Sequence, residues 1–368
     1  MRVVYVAPYL PREGAHGCAG KMHDELSVLG SRHRFDIVCF AASGDRPVDV
    51  RFSAAGCCVH PFPVDSYSRL PRTSPEMTRR IGELAAGADL LQCECSFMMR
   101  FLPRRLPVPV VLTEVQVYLL EFWRRFATGG GALSLARMLK NSVDERFWTA
   151  RADRVVFLSG HDRQAFGFVP EDKARTIPLG VDLEYFRSCR PQKKYDACFL
   201  GNFLNDPNKD AMEHFFSRIY PEIKKQIPSF SFCVTGGGSE QMKEYIPPDG
   251  SVTVTGAVPD IRLFLDQSRL FLNPVRRGSG MRRKVIEAWA MSVPVVSTSA
   301  GCEGLDVRDG VNAAVADTPA CFADRVSQLL ADGNKRDEMG RQGRKTAEGL
   351  HDRTRTAGLL DSVYKELA

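Results

Sequence analysis

Two α/β units in series, each built on a doubly wound parallel sheet, are what this sequence predicts. Three observations carry the expectation. A chain of 368 residues is too long for one ordinary core and suggests about two domains. Short apolar runs alternate with segments of helical periodicity, as in repeated strand–helix–strand units. The alternation is interrupted by the polar stretch Ser188–Lys194 and restarts at Asp196, which places a linker there.

Taken in order, Arg2–Ala7 is a continuous apolar run, the mark of a strand covered on both faces. Pro8 to Gly20 is a Gly- and Pro-rich loop. Lys21–Leu29 has Met22, Leu26 and Leu29 at helical spacing. Phe35–Phe40, Cys57–His60, Leu90–Cys93 and Val108–Leu112 read as further strands. Leu119–Arg125 and Leu133–Ala150 read as helices, broken by Gly129-Gly130-Gly131. Arg151–Ser159 is strand-like, and Ser159 is placed to cap the helix after it. The second series begins with strand Asp196–Leu200 and a helix over Asn208–Gln226. Strands Phe230–Thr235 and Val252–Thr255, helix Pro259–Gln267 and strand Arg269–Asn273 follow. Val293–Thr298 is the next strand, and Phe322–Leu330, Lys335–Gly349 and Thr354–Leu367 are closing helices.

Composition bounds the class. Hydrophobic residues make up 44% and charged residues 26%, as in a soluble globular protein. No apolar run reaches the ~20 residues that span a bilayer, and Met1–Pro8 is too short and strand-like for a signal peptide. The eleven cysteines include no Cys-x-x-Cys pair, and several sit in strand-like runs, which favours reduced thiols and a cytoplasmic setting. A net charge of +6 suits an anionic substrate or an acidic membrane surface. Nucleic acid is disfavoured, because no basic element is interleaved with aromatics. Phe97–Leu106 mixes apolar and basic residues and could rest peripherally on the inner face of a membrane; the plainer reading is a core helix with a basic end.

The densest chemistry lies in Arg276-Arg277-Gly278-Ser279-Gly280-Met281-Arg282-Arg283-Lys284-Val285-Ile286-Glu287-Ala288, between an apolar strand and a helix. Strand, glycine turn, helix start is a geometry that holds phosphate. Glycines let the backbone approach a ligand, and the helix N-terminus offers N–H groups and partial positive charge. Arg282 and Lys284 add full charges there, which opposes the helix dipole unless an anion is bound. The plain alternative is a basic, solvated helix start.

Gly-x-Gly-x-Arg-x-Lys-x-x-Glu-Ala, followed by Pro294–Thr298 and Gly301-Cys302-Glu303-Gly304-Leu305, closely resembles the donor-site signature of group-one glycosyltransferases, the retaining family with the GT-B fold. The resemblance covers Ala197 to Leu330 strongly and the first half weakly. It implies two Rossmann-like domains facing a cleft: 1–188 on the acceptor side, 189–353 on the donor side, and a helix 354–368 crossing back. It implies transfer from a nucleotide-diphosphate sugar (UDP-, GDP- or ADP-linked) to a glycan, a lipid-linked or a small-molecule acceptor, with no further cofactor. It gives catalytic roles to Arg282, Lys284 and Glu287, and donor contacts to Gly278, Ser279, Gly280, Met281 and Glu303. Gly201 and Asn202 stand after the first strand of the second domain, where relatives often carry an Arg. Lys209 lies near a usual Lys and reads equally as a solvated helix-start residue. Gly14, His16 and Gly17 form a second glycine loop that the resemblance turns toward acceptor or donor phosphate; His16 is otherwise an ordinary surface residue.

Two further features matter. Some glycosyltransferases use a metal held by Asp-x-Asp; this chain has no such pair, so positive charge at the leaving group must come from the protein. Where relatives often have a His after the fifth strand, Val115 and Gln116 stand here, leaving Glu114 and Gln116 as the polar candidates. The alternative is therefore a catalytically silent GT-B protein that binds a nucleotide sugar or a partner.

Overall fold

Uninterrupted apolar strands force both of their faces under cover, and the chain answers with two helix-flanked parallel sheets. The computed structural model describes residues 1–12, 17–42, 56–67, 70–115, 117, 132–189, 192–278 and 280–368. The chain divides into Met1–Gly180 with Arg353–Ala368, and Val181–Asp352.

The first unit holds a seven-stranded sheet in the order β3-β2-β1-β4-β5-β6-β7. Its strands are β1 (Arg2–Ala7), β2 (Arg34–Ala42), β3 (Cys57–Val64), β4 (Leu90–Glu94), β5 (Val110–Glu114), β6 (Arg154–Phe157) and β7 (Ala174–Thr176). All pairings are parallel. The chain runs outward from β1 to β3, then returns to lay β4 on the other side of β1. That reversal makes a switch point between β1 and β4, where ligands of such sheets gather beyond the strand ends. Helices α1 (Cys18–Leu29), α2 (Pro75–Ala85) and α3 (Ala132–Thr149) belong to this unit. Ser74 caps α2 by accepting from the Met77 N–H, and Pro75 occupies the first turn, where no donor is lost.

The C-terminal helix Arg353–Lys365 packs on the first unit. Its Ala357, Leu360, Val363 and Tyr364 share one apolar cluster with Met22, Leu26 and Leu29 of α1. Asp361 anchors it, taking Nε2 of His33 at 2.7 Å and Arg32 at 3.2 Å. The first unit closes at Gly180, ahead of the polar stretch Ser188–Lys194. Val181 to Cys189 instead packs within the second unit. There the Cys189 N–H donates to Asp266 at 2.7 Å and the Arg262 guanidinium lies 3.7 Å over the Tyr185 ring.

The second unit holds a six-stranded sheet in the order β10-β9-β8-β11-β12-β13. Its strands are β8 (Tyr195–Leu200), β9 (Phe232–Thr235), β10 (Val252–Val254), β11 (Ser268–Asn273), β12 (Val295–Ser297) and β13 (Ala314–Val315), again all parallel. The switch point falls between β8 and β11. The helix expected over Asn208–Gln226 is interrupted. It runs as α4 (Asp206–His214), a π-turn over Phe215–Ile219, and a second helical piece, Tyr220–Gln226. Pro221 lacks the N–H that would close a regular turn there, and the wider turn accommodates it. The helix expected over Pro259–Gln267 shrinks to Arg262–Asp266. The one expected over Leu119–Arg125 lies outside the described residues.

Helix α5 (Arg283–Ala290) packs on α7 (Gly333–Leu350), with α6 (Pro319–Ala331) beside it. Close approach is possible because α7 presents Gly340 and Gly343 at the contact. A Cβ on Gly343 would stand 2.5 Å from the buried Trp289 ring, and one on Gly340 would strike the Ser292 carbonyl. We predict that Gly340→Ala destabilises the protein by about 1–3 kcal/mol through overpacking against backbone. This outweighs the ~1 kcal/mol that alanine gains in helix propensity. A denaturant midpoint at or above the wild type's would contradict it.

Candidate donor site and its neighbours

The ends of β8 and β11 bring three segments together in the second unit: Gly201-Asn202, the start of α4, and the turn that leads into α5. Among the described residues no side chain caps α5. Arg282 occupies its N-cap position without a capping hydrogen bond, and the first turn contains no acidic residue. The first amides of α5 and its dipole are therefore left to a ligand or solvent.

Lys284 is the central cation. Its Nζ donates to Oδ1 of Asn208 at 2.6 Å and lies 4.1 Å from the centre of the Phe199 ring. Asn208 in turn donates from Nδ2 to the Asn202 carbonyl at 2.8 Å, and Asn202 Oδ1 accepts from the Leu204 N–H at 3.0 Å. Among the described residues none makes an ion pair with Lys284. Burial pulls the Lys284 ammonium well below its ordinary range, the neighbouring Arg282 adds to this, and Glu287 offsets only part of it.

Arg282 folds back, Nη2 donating to the Arg277 carbonyl at 3.0 Å. Gly278 between them has φ +88°, and a Cβ there would stand 3.1 Å from Pro207 and 3.2 Å from Arg282 Nη2. Only glycine lets the loop fold this tightly over the guanidinium. Arg276 and Arg277 share Oδ1 of Asp210, at 2.9 and 3.2 Å. Three of the motif's cations, Arg276, Arg277 and Arg283, are thus claimed by an acid, whereas the direct partners of Lys284 among the described residues are neutral.

Glu287 is buried, and Arg283 clasps its Oε1 at 2.8 Å with both side chains almost wholly covered. Arg283 was not singled out from sequence, although its i,i+4 spacing to Glu287 was legible. Asn208 and Asn273 were also missed. Asn273, at the end of β11, donates to Ser297 Oγ at 3.0 Å and to the Gly301 carbonyl at 2.9 Å. That fixes the short turn Ala300–Cys302, after which half-buried Glu303 follows. Gly201 and Gly280 are buried, and Met281 is half-buried in the same turn. Lys209 does not join the group: it turns toward Glu213, one helical turn on, at 3.9 Å on the surface of α4. Ser279, Gly14 and His16 lie outside the described residues.

In the first unit Glu114 ends β5, buried, with Oε2 accepting the Ser96 N–H at 3.1 Å. Gly17 precedes α1 with φ 68°. Behind it lies a cluster that sequence reasoning did not find. Lys21 is fully buried, with Nζ 2.8 Å from Glu25 and 3.0 Å from Glu94, while Tyr5 donates to Glu94 at 2.8 Å. Burial drives the Glu25 carboxyl up to about 7 against the pull of Lys21, with Glu94 adding to the rise. Phe97–Leu106 is a core segment with a basic end: Met98, Met99, Phe101 and Leu102 are buried, so their apolar surface is not offered to a membrane, and Arg104 and Arg105 are exposed. No described helix is long and apolar enough to cross one. Asp36, Cys58 and His60 lie close enough to suggest a cation site. Both His60 ring nitrogens are engaged, by Asp36 at 3.0 Å and Arg80 at 3.3 Å, and Arg2 sits 2.9 Å from Asp36. Two cations already occupy that place.

Residues 194–332 match the family described as glycosyl transferases group 1, and residues 18–180 match the glycosyl transferase 4-like domain. The chain belongs to the group 1 glycosyltransferases. An uncharacterised 44.6 kDa protein in the cps region of Klebsiella pneumoniae is 26% identical over 51% of this chain and 50% of that protein. Spore coat protein SA of Bacillus subtilis is 22% identical over 53% of this chain and 59% of that one. The alignments thus span about half the length of these curated relatives. Among solved structures, Anabaena HepE in complex with UDP and glucose superposes with TM-score 0.72 at 13% identity, covering 99% of both chains. Sucrose-phosphate synthase from Thermosynechococcus elongatus gives 0.75 at 14% identity, over 100% of this chain and 98% of that one. The fold is GT-B.

The buried Arg283–Glu287 pair yields a stability test. Glu287→Ala leaves a buried guanidinium without its main carboxylate and should lower unfolding free energy by about 3–5 kcal/mol. The double change Arg283→Met with Glu287→Leu should recover most of it. Denaturant melts that show the double variant no better than the single one would contradict the pairing.

Proposed function

We propose that this protein transfers a sugar from a nucleotide-diphosphate sugar to an acceptor, with retention at the anomeric carbon and without a metal. The observation that carries the reading is Lys284, a cation with no ion pair among the described residues, beside a helix start at which none of them places a side-chain cap. The family and the UDP and UDP-glucose bound in the HepE structures support a nucleotide sugar as donor.

Breaking the bond between sugar and diphosphate leaves new negative charge on the phosphate. Lys284, Arg282 and the first amides of α5 are the groups to receive it. A preorganised, partly dry cation is worth more there than one in water, because no solvent must reorient as the charge grows. Arg283 holds one oxygen of Glu287, which fixes the direction in which the carboxylate addresses a donor hydroxyl. Glu303 and the Gly280–Met281 backbone complete the donor contacts. Attack on the face the phosphate is leaving needs no separate base, since the departing phosphate oxygen can take the acceptor proton. That accommodates Val115 at a place where relatives often have His.

Lys284→Ala and Arg282→Ala should each weaken UDP binding by about 10–100-fold, as for hydrogen bonds to charged groups worth about 1.5–3 kcal/mol. Uridine binding should change little. Calorimetry that finds equal losses for both ligands would rule out a phosphate clamp. UDP-, GDP- and ADP-sugar hydrolysis measured with and without a chelator tests the rest: chelator-sensitive turnover removes the metal-free reading, and binding without turnover by any donor leaves a silent binding protein.

The depressed Lys284 ammonium adds a pH signature. In the free protein it loses its proton below the ordinary lysine range, and a diphosphate beside it favours the charged form. Above the free-state pKa, UDP binding should therefore take up protons, increasingly so as pH rises toward the ordinary lysine value. Titration calorimetry in buffers of different ionisation enthalpy reads this uptake, and it should vanish in Lys284→Met.

A further inference from the structure

We propose that a hollow of about 300 Å³ inside the first unit receives a neutral, polyhydroxylated six-membered ring, the terminal sugar of a saccharide acceptor. The assignment of that ring as acceptor rests on the transferase reading above; the hollow itself lies wholly within the first unit.

Its walls combine two chemistries. Tyr9, Tyr67, Phe97 and Trp148 supply aromatic surface, and Asn141, Asp144, Glu145 and Arg100 supply polar groups. The aromatic walls are fixed. Tyr9 and Tyr67 meet edge to face with centroids 5.0 Å apart. The Trp148 ring is braced by Phe147 at 4.9 Å and by the Arg151 guanidinium at 5.4 Å. The polar walls are fixed too. Arg100 donates from Nε to the Phe97 carbonyl at 2.7 Å, which sets its guanidinium plane, and Lys140 holds Asp144 at 3.1 Å. Glu145 is nearly fully buried.

This mixture selects among ligands. A sugar ring has C–H faces with slight positive charge that suit the negative face of an aromatic ring. Its edge carries hydroxyls that donate to Asp144 and Glu145, exchange both ways with the Asn141 amide, and accept from Arg100. An alkyl chain would strip water from two carboxylates and a guanidinium and return no hydrogen bonds. A phosphate or uronate would meet the Asp144 and Glu145 carboxylates with Arg100 as the one guanidinium in the lining, the Lys140 ammonium being already engaged by Asp144. The volume sits at the small end of ligand pockets, which suits one ring rather than a long chain. The hollow also borders a candidate catalytic group, since Ser96 lines it while its N–H bonds Glu114 at 3.1 Å.

The test titrates the nucleotide-free protein with methyl glucoside, methyl N-acetylglucosaminide, methyl glucuronide and octyl phosphate. Saturation-transfer NMR and tryptophan emission are the readouts. The neutral glycosides should bind saturably in the millimolar range and shift an emission that Trp148→Phe no longer shifts. Asn141→Ala and Tyr67→Ala, checked for folding by thermal melts, should each weaken binding about tenfold. Methyl glucuronide should bind at least tenfold more weakly than the neutral sugars. The inference is overturned if no neutral glycoside saturates, if binding persists unchanged in Asn141→Ala and Trp148→Phe, or if glucuronide or octyl phosphate binds best. UDP affinity of the wild type is measured in the same series: UDP without sugar binding sinks only the hollow's assignment, whereas sugar without UDP binding sinks the donor reading and leaves a saccharide pocket.

Discussion

A lysine held partly out of water without an acidic partner is costly, and the second unit arranges itself around that cost. Lys284 rests on the face of Phe199 and on the amide of Asn208, both neutral. Its neighbours Arg276 and Arg277 are discharged onto Asp210, and Arg283 onto Glu287. A protein concerned only with stability would have given Lys284 a carboxylate as well. Leaving one ammonium unneutralised beside an uncapped helix start concentrates positive potential where strands β8 and β11 end. An anion that arrives there repays the desolvation, which is the physical basis for reading the place as a phosphate seat.

The first unit solves the opposite problem. Lys21 is buried more deeply than Lys284, yet it lies between Glu25 and Glu94 and within reach of a network that includes Tyr5 and Gln92. The carboxylates more than offset its burial and hold its ammonium above the ordinary value. The ammonium there is met by carboxylates of the same unit. The same residue type thus stands against carboxylates in one unit and against neutral direct partners in the other, which holds one ammonium above the ordinary lysine value and the other below it.

Much of the fold was legible because period and punctuation agree. Continuous apolar runs mark parallel strands, and the helical spacing of Met22, Leu26 and Leu29 marks α1. Ser159 caps its helix as its position suggests, its side chain accepting from the Asp162 N–H. The misreadings have local causes. Pro221 turned one expected helix into two with a π-turn between, a distortion that apolar spacing does not disclose. The first unit ended at Gly180 because Asp266 and Arg262, distant in sequence, hold the residues that follow. Phe97–Leu106 left two readings open because its mixture of apolar and basic residues does not say which side faces inward.

The chain's own order of residues determined the two-sheet class, the glycine turn between strand and helix, and the presence of Arg282, Lys284 and Glu287 within about a turn and a half of each other. Those are short-range properties, set by spacing along a backbone of known pitch. It took the tertiary structure to decide that Asn208 rather than Lys209 meets Lys284, that Arg283 pairs with Glu287, and that Trp148, Tyr67 and Tyr9 surround one hollow. Each of these joins residues by side-chain direction or by contacts far apart in the chain. No periodicity in the sequence encodes which of two neighbouring side chains turns inward; packing and the need to satisfy buried charge settle it.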